Sequence, residues 1–175
     1  MCAAQPLHPR YELARLEAAG LNGPGFHLAA AASLYATGNA EAAAQRLDQA
    51  MAGQQESPDL CVTAGRMAQL RSDWPAAEHW FRRALELEPV HATAHGGMAA
   101  VCLQRGEAAV ALDHAVSSLR RYFLNPDLHW ILAQALYQLG ERERALDACR
   151  QALLQAPTLR AARDAFAAWS NTVQP

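Results

Sequence analysis

The chemistry available to this 175-residue chain rests on seven histidines, four cysteines and fifteen basic residues, all of them arginine. His27, Cys61, His95 and His129 stand 34 residues apart, which suggests a ligand set because imidazole and thiolate both bind zinc-like ions. If each holds the same place in a helical repeat, neighbours lie a helix-pair spacing apart, on the order of 10 Å, and cannot share an ion. They are read instead as partly buried helix-face residues. His91 and His95 have i, i+4 spacing, but His91 falls at a helix start and no third ligand accompanies them. Cys2, Cys61, Cys102 and Cys149 are far apart with no C-x-x-C, and the last three fall on apolar faces. They read as small buried hydrophobes suited to a reducing cytoplasm. The absence of lysine excludes Schiff-base and P-loop chemistry, and no G-x-G-x-x-G, G-x-S-x-G or H-E-x-x-H occurs. The expectation is a non-catalytic chain with no metal and no cofactor.

Charge excludes further classes. A formal net charge of −2 and a pI near 6.4 provide no field for nucleic acid or acidic lipid. The pairs Arg82-Arg83 and Arg120-Arg121 lie among acids such as Glu78 and Glu86, so they read as solvated helix surface. The opening decapeptide has no basic region followed by an apolar run, the pattern of a signal peptide. Residues 18–40 are uncharged, but glycines and Pro24 interrupt them. Their helical part, 26–36, is about half of the ~20 residues that span a bilayer, so no membrane segment is expected.

The elements that position these residues follow from composition and period. Hydrophobic residues make up 51% and aromatics only 7%, with 40 alanines, so the core must consist of small side chains on closely packed helices. Charged content of 18% and a mean hydropathy of −0.13 are those of a folded chain. Pro58-Asp59-Leu60 recurs as Pro126-Asp127-Leu128, and Arg83-Ala84-Leu85 through Pro89 as Gln151-Ala152-Leu153 through Pro157. Both recurrences are 68 residues apart, and halving that gives four ungapped registers: 24–57, 58–91, 92–125 and 126–159.

Each column of this register has a physical use. Gly38, Ser72, Gly106 and Gly140 fall where a first helix must stop in a left-handed conformation. Asp73 compensates for the serine by capping the next helix. Ala43, Ala77, Ala111 and Ala145 face Ala31, Gly65, Ala99 and Ala133, small against small. Ala50, Ala84, Ser118 and Ala152 admit the next repeat. Ser57 before Pro58 and Asn125 before Pro126 are N-caps followed by proline at the first helical position. Helices are expected near 26–37, 40–53, 58–71, 74–88, 92–105, 107–121, 126–139 and 142–155. A short N-terminal helix with Tyr11, Leu13 and Leu16 and a terminal helix at 160–170 would cover the two ends.

This pattern resembles the tetratricopeptide repeat family over residues 24–159. The second register carries it best, through Cys61, Ala64, Gly65, Ala68, Ala77, Phe81, Ala84 and Pro89. The fourth follows with Leu132, Ala133, Leu136, Gly140, Ala145, Ala152 and Pro157. Gln55 and Phe123 replace the closing proline in the first and third. The resemblance implies an all-α, right-handed solenoid of four antiparallel helix pairs. Residues 1–23 would form an arm and capping helix, and 160–175 a capping helix and tail. It implies a protein-protein interaction module, adaptor, scaffold or chaperone-like, that takes a partner's peptide or helix in its concave groove. Leu28, Tyr35, Val62, Arg66, Gln69, Leu103, Trp130, Gln134 and Tyr137 are the expected lining. Tyr35, Leu103, Trp130 and Tyr137 would form an apolar lane across it, with Arg66 and Gln134 meeting polar groups of the partner. At the places where cochaperone relatives grip acidic tails with Lys, Asn and Arg, this chain offers Arg66 alone among uncharged residues and Asp127. The fourth repeat also looks like repeats of bacterial phosphoesterase or sulfotransferase chains, which leaves an accessory subunit of such an enzyme as the alternative. A self-assembling scaffold stacked through its end faces, a homo-oligomer, is a third reading.

Overall fold

In the computed structural model, residues 26–27, 30–31, 33–34, 39–51 and 57–171 are described. The expected N-terminal helix lies outside them, as do Leu28 and Tyr35. No strand occurs among the described residues, and those of 26–34 are helical. Eight helices follow: α1 (Ala40–Met51), α2 (Pro58–Leu70), α3 (Trp74–Leu87), α4 (Ala92–Gln104), α5 (Ala108–Leu119), α6 (Pro126–Gln138), α7 (Arg142–Gln155) and α8 (Arg160–Asn171). From α2 onward, every limit falls within two residues of its sequence expectation.

Local chemistry sets those limits. Ser57 Oγ accepts from Leu60 N at 3.3 Å and Asn125 Oδ1 from Leu128 N at 3.2 Å, each ahead of a proline that has no N–H to lose. Gly106 and Gly140 close α4 and α6 with φ of 77° and 80°. Ser72 closes α2 with φ of 60°, the left-handed region that a side chain resists, and Asp73 Oδ1 accepts from Ala76 N at 3.1 Å.

Helices pair as α2 with α3, α4 with α5 and α6 with α7, and each second helix then packs on the next first helix. Successive first helices α2, α4 and α6 also touch, forming one face of the solenoid. The alanine columns are the seams. Ala43, Ala77, Ala111 and Ala145 are fully buried, as are Ala31, Ala99 and Ala133 opposite them. Phe81 is the one large exception among the fully buried side chains of the described core. A Cβ on Gly65 of α2 would come within 2.7 Å of its ring, and one on Gly97 of α4 closer still. The ring fills the space those two glycines leave between adjacent repeats. α8 closes the far end, seating Ala162, Phe166 and Trp169 against the core of α6 and α7. Arg142 donates from Nε to Trp169 O at 2.8 Å and from Nη2 to Ser170 O at 3.3 Å. Its cation thereby meets the negative end of α8.

Candidate functional site

The face built by α2, α4 and α6 opens into a cleft of roughly 580 Å³. α4 contributes Gly96, Gly97 and Ala100, so the cleft floor carries no side chain larger than a methyl. Gly97 must lack a side chain to admit Phe81 behind it, and Gly96 is confined by Leu128 and Ser118, which a Cβ would approach to 3.0 and 3.2 Å. Ser118 is fully buried, and its hydroxyl has no hydrogen-bond partner among the described residues. Leu70 and Trp74 form one apolar wall, Leu128 and Ile131 the other. Arg66 and Gln69 of α2 and Asp127 of α6 supply the polar groups, with Tyr122 and Asn125 at the α5–α6 mouth.

Of the seven expected groove residues that are described, Arg66 and Gln69 reach this cleft. Val62 is buried in the core, and Leu103 packs against the same core cluster. Gln134 is half-buried and outside the cleft lining. Trp130 and Tyr137 share a helix face, but α8 takes it. The Tyr137 ring stacks on Trp169 at 4.2 Å and 9°, and Trp130 stacks on the same indole at 5.8 Å and 21°. An amphipathic terminal helix offers its indole to the nearest exposed aromatics, so the structure does not bring these two into the cleft. Gly97 and Trp74 line the cleft as well, and the adjacency of Gly96 and Gly97 in a first helix is the sequence signal for its floor.

The histidine spacing has a structural outcome. His129 donates from Nε2 to Phe123 O at 2.8 Å, and His95 from Nε2 to Pro89 O at 3.0 Å, equivalent latches onto the end of the preceding repeat. His129 is buried, deeper than the partly buried place expected. His95 Nδ1 lies 2.8 Å from His114 Nδ1, so one ring gives a proton and the other a lone pair. Burial, then the neighbouring His95, push the His114 pKa below its ordinary 6.5. His91 caps α4 through Nδ1, 3.3 Å from Ala94 N, and reaches Asp59 through Nε2 at 3.1 Å. Among the described residues, no three His, Cys, Asp or Glu side chains gather as metal ligands. Cys61, Cys102 and Cys149 are buried thiols. Burial raises the pKa of Cys102 and Cys149, away from the thiolate a nucleophile needs.

Of the arginine pairs, Arg82 pairs with Glu78 and Arg83 with Glu86 at 2.9 Å, as a solvated surface requires. Arg120 and Arg121 form no ion pair among the described residues. No described helix is long and apolar enough to cross a membrane.

Residues 126–159, α6 with α7, match the tetratricopeptide repeat family. In fold, the chain is a tetratricopeptide-repeat protein. Among solved structures it is similar to MamA residues 41 to end from Desulfovibrio magneticus RS-1, at 17% identity and a TM-score of 0.69, covering 84% of this chain and 83% of that one. It is similar to a chain of the APC/C hetero-tetramer Cut9-Hcn1 at 21% identity and a TM-score of 0.76, covering 87% of this chain and 31% of that one. YrrB, described as a tetratricopeptide-repeat protein with an unusual peptide-binding site, aligns at 18% identity and a TM-score of 0.65, over 89% and 84% of the two chains. No curated protein matches the sequence. At these identities the likeness establishes the tetratricopeptide-repeat architecture, and the cleft residues are this chain's own.

Proposed function

We propose that this chain is a non-catalytic protein-interaction module of the cytoplasm that holds a segment of a partner protein in the α2–α4–α6 cleft. The open cleft carries this reading: apolar walls, a floor with no side chain larger than a methyl and a few polar groups are what an extended segment needs for anchoring and orientation. The tetratricopeptide-repeat architecture supports it, as does the peptide-binding site named for YrrB. The inert thiols favour binding over catalysis. The interaction domain would comprise the registers 24–57, 58–91, 92–125 and 126–159, with 1–23 and 160–175 as capping segments. Leu28, Tyr35, Trp130, Gln134 and Tyr137 would extend the groove beyond the cleft.

The test is affinity capture from the native cell with wild type, Thr93→Trp and Arg163→Glu. Thr93 lines the cleft and a tryptophan there fills it, whereas Arg163 is exposed on α8. Partners should be lost with Thr93→Trp and kept with Arg163→Glu, with melting temperatures close to wild type. Full capture by a folded Thr93→Trp protein rejects the cleft.

A further inference from the structure

We infer that the cleft is a polarised socket, selecting a peptide in which one bulky apolar residue is flanked by an acidic residue on one side and a basic residue on the other. This deepens the reading of the cleft as a partner-binding groove and rests on it. The apolar residue would lie over Gly96, Gly97 and Ala100, where the helix presents no side chain larger than a methyl. The charges follow from Arg66 and Asp127, which line the same cleft from its two outer helices.

Neither of these groups forms an ion pair among the described residues, whereas several arginines on α3 and at the end of α4 do. Arg82 and Arg105 share Glu78, and Arg83 holds Glu86. Comparison between repeats shows why Asp127 is left over. Asp59, its counterpart two registers earlier, is held by His91 at 3.1 Å, but the residue corresponding to His91 is Leu159. Arg66 is equally unforced by the repeat, since its counterparts are Ala32, Ala100 and Gln134. A first-turn Asp also suits the helix dipole, which accounts for an acid at this position but not for its exposure to the cleft.

One cation and one anion on opposite sides of an apolar slot select by order as well as by sign. A uniformly acidic segment gains at Arg66 and is repelled at Asp127; a uniformly basic one meets the reverse. Only a partner carrying both charges in the complementary order satisfies both groups while its anchor fills the floor.

The test is selection of displayed random linear peptides on the full chain as wild type, Arg66→Glu, Asp127→Arg and the double variant. Both side chains are exposed, and circular dichroism melts check folding, with Arg66→Gln and Asp127→Asn as milder replacements. Wild type should enrich a bulky apolar residue with an acid and a base at fixed, opposite offsets. Each single variant should lose one of the two charges and bind wild-type-selected peptides about tenfold or more weakly. The double variant should enrich the reversed order. A charge pattern that survives all substitutions, or an apolar anchor with no charge pattern, overturns the polarised socket and leaves the groove standing. No enrichment on any form, in folded protein, overturns both.

Discussion

The α2–α4 region and the α6–α8 region have the same repeat length but solve the packing between repeats in opposite ways. In the first, Phe81 projects from α3 and the neighbouring first helices recede to glycine, at Gly65 and Gly97. One register later the same two columns hold Ala115 and Ile131, a small residue behind and a large one in front. The summed volume is similar, but its distribution differs. Where bulk sits on the second helix, the first-helix face hollows into a cleft; where it sits on the first helix, Ile131 becomes a cleft wall. Beyond it, Trp169 of α8 stacks on Trp130 and Tyr137. A hollow thus arises in a repeat protein by moving volume from one helix to its neighbour, without breaking the period.

The largest expected effect tests that exchange. Phe81→Ala should destabilise by about 3–5 kcal/mol, as large-to-small changes at fully buried sites do. Gly97→Ile should cost roughly 1–3 kcal/mol or more by collision with the ring. The double variant copies the Ala115–Ile131 arrangement and should be more stable than the two losses predict by addition. Denaturant melts measure all three, and strict additivity would break the volume argument.

At the covered end, Trp169→Ala removes both aromatic stacks and should cost about 1–3 kcal/mol, with α8 melting before the rest. Hydrogen exchange localises the loss. Protection unchanged in 160–171 would mean that Arg142 and the Ala162 contact hold α8 without the indole.

The turns differ between the regions by one residue type. Ser72→Gly should stabilise the second repeat by up to about 1 kcal/mol, because glycine relieves the left-handed strain that Gly140 already avoids. The reverse change, Gly140→Ser, should destabilise by a similar amount in the same thermal assay.

The smallest effect concerns the histidine latches. His95 is backed by His114, whereas the corresponding residue behind His129 is Ala148, and the buried His129 Nδ1 has no hydrogen-bond partner among the described residues. The folded-state His114 pKa lies below its unfolded value, so the unfolded chain binds more protons as pH falls. This contribution to stability is therefore full above the ordinary pKa near 6.5 and declines as pH drops through it. His114→Gln should flatten the fall in melting temperature between neutral and mildly acidic pH. An identical slope would assign the acid sensitivity elsewhere.

How much of this was legible depends on the range of the interaction involved. Ser57, Asn125 and Asp73 act on an N–H three residues away, so the chain states its own caps and turn positions, and the 34-residue register fixes which alanines meet. Helix limits, the small-residue seams and the terminal helix follow from such local or periodic terms. The cleft does not, because it is defined by absent volume, and the meaning of Gly96 and Gly97 depends on where Phe81, Ser118 and Leu128 arrive. Trp130 and Tyr137 look like groove residues from their own helix. What decides their place is a helix more than twenty residues downstream that finds a better use for their faces than solvent does. The sequence by itself determined the all-helical, repeated architecture, since backbone hydrogen bonds and a fixed period encode it locally. Only the tertiary structure decided which part of the concave face is open, because that depends on which side chains from different helices compete for the same space.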